Sequence, residues 1–262
     1  MVHLDQGGAG RSCTRVLPPP SDLADVVEST FILDEVPDSS NARSWRVVPD
    51  PSAHLLFVVP STGRARGAVV GARSTFDDID VSGRRLTLGV RLRPGTLSRI
   101  ARERATAFTD RAFPVEDVLG ASWRSVLDPL GESEPHGVLD VILERLRAVL
   151  GGWGPARSWM ATLRSASVDE AARAARMPAR TFHAWALEAV GLPPKRLLRI
   201  VRLYRALEAL RPTVGWAEAA TSAGFADQPH LVREVRALLG ETPCTWIARS
   251  ADSFKTTGRR AD

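Results

Sequence analysis

A chain of 262 residues is long enough for two domains with cores of their own. No apolar run approaches the roughly 20 residues that span a bilayer, and the N-terminus lacks the basic-then-apolar pattern of an export signal, so a cytoplasmic protein without a membrane partner is expected. The formal net charge is +5, and Cys13 and Cys244 make neither a disulfide framework nor a metal site.

Residues 1–15, Gly-rich and polar, are expected to be disordered, and residues 16–150 to form an α+β domain. Ala53–Val59, Gly67–Gly71 and Leu86–Leu92 are short apolar or β-branched runs between Gly, Pro and Asp, hence strands. Thr96 to Arg104 reads as a helix after Pro94-Gly95. Arg91 and Arg93 alternate on one strand face, which suits either an anionic ligand or pairing with acids such as Glu116 or Asp117. A polar break at Gly131–Gly137 precedes an apolar helix, Val138–Leu150, whose Leu139, Ile142, Leu146, Val149 and Leu150 need cover. Packing within its own domain is expected over a dimer contact. Gly151-Gly-Trp-Gly-Pro155 marks a hinge over residues 151–157.

Beyond it lie two turn-helix segments, about 47 residues apart. The first runs from Ser167 through Met177 and Pro178 to Gly191; the second runs from Trp216 through Gly224 and Phe225 to Gly240. Each is a short Ala-rich helix, a tight turn and a second helix closed by Gly. Small residues let helices cross closely, and a brief turn sets them steeply, as a helix-turn-helix unit requires. Ser167 with Glu170 makes a capping-box pattern, and Gly224 stands where the turn needs positive φ. In the first recognition helix Phe182, Trp185, Ala186 and Ala189 share one face, and Arg180, His183, Ala184 and Leu187 the other. In the second, Leu231, Val235 and Leu238 face inward, while Pro229, Arg233 and Arg236 face outward, flanked by Gln228 and Val232.

Between the units, Pro194–Leu210 reads as a linking helix, with Leu197, Ile200, Val201, Tyr204 and Leu207 as its apolar stripe. Lys195, Arg199, Arg202 and Arg205 lie on its far side, as a solvated or phosphate-facing row. From Arg157 onward there are 17 Lys and Arg against 10 Asp and Glu, whereas the preceding residues hold 18 against 20. All the excess positive charge therefore sits on the helical half, as phosphate neutralisation demands.

Ala223 to Pro243 resembles the second helix-turn-helix of AraC/XylS-type transcription regulators, and Met177 to Gly191 resembles the first. The resemblance runs from Ser158 to about Ile247. It implies an all-α domain over residues 158–250, joined by the linking helix, whose two recognition helices enter successive major-groove segments of double-stranded DNA. By position, it implies base contacts from Arg180, His183, Gln228, Val232 and Arg233. Phosphate contacts are expected from Thr181, Lys195, Arg199 and Arg236. Two positions depart from the family pattern: Ala184 stands where Arg is usual and Ala186 where Phe is usual, with Trp185 beside them to supply volume. The second unit is therefore expected to carry more of the specificity.

Pro49-Asp50, Val70-Gly71, Gly89–Gly95, Thr109–Arg111 and Pro114–Gly120 resemble a sensor-type domain found ahead of the same C-terminal domain in some AraC-type regulators. It implies binding of a small effector or self-association, and names no ligand. RNA polymerase, a small-molecule effector and a second copy of the chain are thus the partners left open beside DNA. No catalytic motif or cofactor loop is present, so no enzyme, cofactor or metal site is expected. Pro243-Cys244 continues as Thr245-Trp246, without the His and Arg of the alkyl transferases that share this domain, so Cys244 is expected to pack as a small residue. The tail after Ala251 is expected to be disordered. The alternative reading is an effector-binding or scaffold protein that has lost specific DNA binding, with Ala184 as its evidence.

Overall fold

Alternating burial along Ala53–Pro60 (β4) and Arg66–Val70 (β5) turns one face of an antiparallel sheet inward. In this computed structural model, which describes residues 10–37, 43–81, 83–128, 134–151, 165, 167–210 and 215–247, that sheet has six strands. Its order is β1-β2-β7-β4-β5-β8, with β1 at Gly10–Leu17, β2 at Val27–Pro37, β7 at Arg85–Leu92 and β8 at Ala112–Pro114. A separate ribbon pairs β3 (Arg43–Val47) with β6 (Asp77–Val81), matching Arg46 with Asp78. The three expected strands are β4, β5 and β7, the interior of the sheet. Residues 10–15, expected to be disordered, belong instead to β1, which pairs along its whole length with β2. β2 escapes a periodicity reading because it carries a buried Glu35, ion-paired with Arg85 of β7.

Helix α1 covers Thr96–Ala101, ending earlier than expected because Arg102 turns left-handed, at φ 53. Helices α2 (Val115–Leu119) and α3 (Pro135–Leu150) follow. As expected, α3 packs within its own domain. Val138, Leu139, Ile142, Leu143, Leu146 and Leu150 are buried in one cluster with Leu55, Phe57, Leu88 and Val90 of the sheet. Trp123 closes that cluster, stacked on Phe57. Only Gly151 of the expected hinge is among the described residues, and the tail after Ala251 lies outside them.

The C-terminal part is helical: α4 (Val168–Ala174), α5 (Ala179–Trp185, prolonged by a π turn over Ala186–Val190), α6 (Pro194–Ala209), α7 (Trp216–Ser222) and α8 (Gln228–Leu239). An α+β domain followed by an all-α domain is the architecture expected from the sequence. The linking helix α6 holds the rest together. Leu198 joins the first unit through Ala171, Ala172 and Phe182. Leu197, Ile200, Leu203 and Leu207 join the second through Leu231, Val235 and Leu238.

Val48 and Ala72 of the N-terminal domain lie in that second cluster, so the two domains share apolar surface. Polar contacts frame it. Tyr204 donates its hydroxyl to the Pro49 carbonyl at 2.7 Å, and Arg196 Nε donates to the Ser74 carbonyl at 2.7 Å. Beneath Pro49, buried Arg91 donates Nη2 to Asp50 at 2.9 Å and approaches Glu28 at 3.4 Å. Asp50 and Glu28 are thus the partners of Arg91, not the Glu116 or Asp117 expected; Glu116 faces Arg124. Arg93, just past β7, donates to the Ala24 carbonyl.

Burial pushes the Asp50 carboxyl up, but Arg91, His54 and the Ser52 N–H together outweigh it and hold the group below its ordinary value. Burial also dominates at His54, lowering its pKa against the pull of Asp50 and Glu28, with Arg91 adding to the depression. Both groups therefore bind fewer protons folded than unfolded, so their stabilisation is present at neutral pH and lost on acidification. The melting temperature is expected to fall as pH drops below the ordinary His value of 6.5, and again through the carboxylate range. Scanning calorimetry of wild type and His54→Gln checks this: the variant should lose the upper step and keep the lower.

The turn residues give a second test. Gly224 is left-handed at φ 83, with open space where a Cβ would stand. Gly224→Ala is expected to cost about 1–2 kcal/mol in urea unfolding, purely from the backbone. Arg176 holds the same place in the first unit at φ 53, and Arg176→Gly is expected to be neutral or stabilising.

Candidate nucleic-acid interface

The two units repeat one backbone design. Ala175, Arg176 and Met177 donate to the carbonyls of Ala171, Arg173 and Ala172; Ala223, Gly224 and Phe225 donate to those of Ala219, Thr221 and Ala220. These turns are offset by 48 residues, and the helices after them by 49, because Ala226 adds one residue before α8. Ser167 Oγ accepts the Glu170 N–H at 3.2 Å to cap α4, and Asp227 Oδ1 accepts the His230 N–H at 2.6 Å to cap α8. The expected Ser167 cap is therefore present.

Inward faces are apolar. Ala171, Ala172 and Phe182 are buried in the first unit, and Ala219, Ala220, Leu231, Val235 and Leu238 in the second. Trp185 stacks on Phe182 with ring centroids 5.6 Å apart, filling space beside the fully buried Ala186.

Outward faces carry most of the expected contact residues. Arg180, Thr181 and His183 on α5 are exposed, as are Gln228, Arg233 and Arg236 on α8, and Lys195 at the start of α6. Val232 is half-buried. No intramolecular hydrogen bond or ion pair engages the Arg180, Arg233, Arg236 or Lys195 side chains among the described residues. Arg199 is placed differently: its Nε and Nη2 each hold Glu234 of α8 at 3.0 Å, tying the linking helix to the second recognition helix. Arg202 likewise turns to the second unit, 5.2 Å over the Phe225 ring. Of the basic row expected on α6, Lys195 alone stands exposed.

Aligning the recognition helices at their offset pairs His183 with Val232, Ala184 with Arg233 and Leu187 with Arg236. Where α8 shows two guanidinium groups, α5 shows a methyl and a half-buried Leu. Cys244, expected to pack, is exposed; Pro243 and Trp246 fill that site instead.

The docking contacts of Tyr204, Arg196 and Arg199 were beyond sequence reasoning, since their partners lie far along the chain and leave no local period. Among the described residues no group of three or more His, Cys, Asp and Glu side chains is placed to hold a metal ion, and no helix is long and apolar enough to cross a membrane.

Residues 171–249 match the family model of a helix-turn-helix domain, and residues 15–114 that of a domain of unknown function (DUF6597). None of the curated proteins matches the chain. Among solved structures, the DNA-binding domain of AdpA, a global transcriptional factor, in complex with a target DNA is 24% identical, covering 37% of this chain and 87% of that one at a TM-score of 0.31. Unsaturated-fatty-acid-bound ToxT from Vibrio cholerae is 10% identical, covering 83% of this chain and 95% of that one at a TM-score of 0.42. The repeated turn design on a shared linking helix and the family match coincide in one region: residues 171–249 of this chain form a helix-turn-helix domain.

Proposed function

We propose that this chain is a sequence-specific transcription regulator that reads successive major-groove segments of one DNA duplex with α5 and α8. The observation that carries the reading is the duplicated unit with buried apolar inner faces and exposed, unpaired cations on both recognition helices. Base edges are met by Arg180 and His183 on α5, and by Gln228, Val232 and Arg233 on α8. Thr181, Lys195 and Arg236 contact phosphates, and Arg199 contributes the part of its guanidinium that Glu234 leaves open. With Arg233 on α8 against Ala184 on α5, the second unit supplies more of the specificity. The regulator works in the cytoplasm, where it meets RNA polymerase at its promoters. Its N-terminal domain is the part that takes a small-molecule effector or a second copy of the chain.

Selection of bound sequences from random duplexes by the full-length chain tests the reading: a defined motif supports it, and uniform recovery of all sequences overturns it. The assigned roles are separable by substitution. Arg233→Ala is expected to cost about 1–3 kcal/mol on the selected site and relax the preference at one base pair, whereas Lys195→Ala weakens selected and scrambled DNA alike and lowers the salt slope by about one unit. Binding titrations over a range of salt check both. Equal weakening of both DNAs by Arg233→Ala would show that α8 does not lie in the major groove as assigned.

A further inference from the structure

Both recognition helices end the same way. Each closes on a left-handed glycine, Gly191 at φ 91 and Gly240 at φ 72, and each of these glycines is pressed against the N-terminal domain. A Cβ at Gly191 would meet the Ala105 carbonyl at 2.8 Å and collide with Thr109 Oγ1; a Cβ at Gly240 would meet the Phe76 ring at 2.6 Å.

The carbonyls at these ends lack helical partners, and two N-terminal side chains satisfy them. Thr109 Oγ1 donates to the Gly191 carbonyl at 2.8 Å. Arg46 Nη1 donates to the Leu239 and Gly240 carbonyls at 3.3 and 3.2 Å, placing positive charge at the negative end of α8. The Arg46 guanidinium is itself fixed: Asp78 accepts from Nε at 2.7 Å and from Nη2 at 2.6 Å, and the Phe76 ring lies 4.8 Å beneath it.

The two anchors are also joined to each other. Asp110, beside Thr109, accepts both the backbone N–H and the hydroxyl of Ser74 at 2.6 Å, and donates its own N–H to the Ala72 carbonyl. The segment from Ala72 to Asp78 thus runs from one anchor to the other, and its Ser74 carbonyl also receives Arg196 of α6.

We propose that Arg46 and Thr109 are positioning residues for DNA reading, which together set the separation and relative rotation of the two recognition helices. The inference rests on the reading of α5 and α8 as recognition helices. Neither residue touches DNA on that reading, because base edges are met at helix N-termini and both residues hold C-terminal ends. The lever is long. A twelve-residue helix spans about 18 Å, so a tilt of about 10° at its anchored end moves its reading end by about 3 Å, close to the spacing of one base pair.

The test uses the full-length chain and a duplex library in which the two bound elements are separated by varied spacers. Wild type is expected to prefer one spacing. Arg46→Ala and Thr109→Val are each expected to keep the base preference within each element and the salt slope, while the preference for that spacing over one base pair more or fewer falls by about tenfold. Thr109→Ser, which keeps the hydroxyl, should restore it, and Arg46→Lys, which keeps the charge but loses the fork, should restore it in part. Melting temperatures show whether each variant folds. If Arg46→Ala does not fold, the near-isosteric Thr109→Val and its Ser rescue decide alone.

Unchanged spacing preference in the folded variants overturns the inference. So does loss of base preference and spacing preference together, which marks general disruption. A wild-type chain without base preference in either element overturns the proposed function, and this inference with it.

Discussion

Helix α6 must be covered on three sides at once, and the rest of the molecule is arranged around that demand. Leu198 turns to the first unit, and Leu197, Ile200, Leu203 and Leu207 to the second. Arg196 and Tyr204, eight residues apart and so on one helical side, turn to the N-terminal domain. A helix with so much apolar surface is not stable alone in water; it gains its stability from the elements that bury it. Every displacement of α6 is therefore felt in both reading units and in the interdomain contact. The element that joins the two units is also the one that touches the N-terminal domain.

The docking surface of the N-terminal domain is built from polar groups that would be costly to bury one at a time. Arg91 is buried, yet it has Asp50 and Glu28 beside it, and Asp50 also receives the Ser52 N–H and faces His54. This cluster holds the backbone that offers the Pro49 carbonyl to Tyr204. Three of the five short stretches that resemble a sensor-type domain, Pro49-Asp50, Val70-Gly71 and Thr109–Arg111, lie near one another, with the Gly71 N–H donating to the Arg111 carbonyl. Gly71 packs its backbone against the Phe108 carbonyl so closely that no side chain fits, and Thr109 reaches Gly191. Of these stretches, Pro49 and Thr109 touch the helical domain directly.

How much of this was legible in the sequence follows from the range of the forces involved. Strands β4, β5 and β7 were legible because apolar runs between turn residues leave a local pattern. Strand β2 was not, since Glu35 faces inward and is acceptable there only through Arg85 on the neighbouring strand. The reading units were legible in their alanines, their glycines and the Ser167 cap, all short-range signals. The engagement of Arg199 by Glu234 and of Arg46 by Asp78 was not, because each pair spans more than thirty residues. The row of cations on α6 therefore read as one outward face, solvated or phosphate-facing, although two of its guanidinium groups turn to the second unit.

The two units, built on one plan, spend their positive charge differently. The first keeps Arg176 in its turn, where a left-handed backbone disfavours a side chain by about 1 kcal/mol and the second unit has Gly224. It places Arg173 and Arg176 at exposed positions around the turn, and shows Ala184 and Leu187 further along α5. The second unit has an uncharged turn and puts Arg233 and Arg236 on the outer face of α8. Charge clustered at a turn attracts the phosphate backbone whatever its sequence, whereas a guanidinium partway along a recognition helix can form a two-point contact with guanine. On the proposed reading, the first unit chiefly holds the duplex and the second chiefly reads it. That division makes the relative placement of the units matter, since a strong reader coupled to a weak one gains from the weak one only when both reach their segments together.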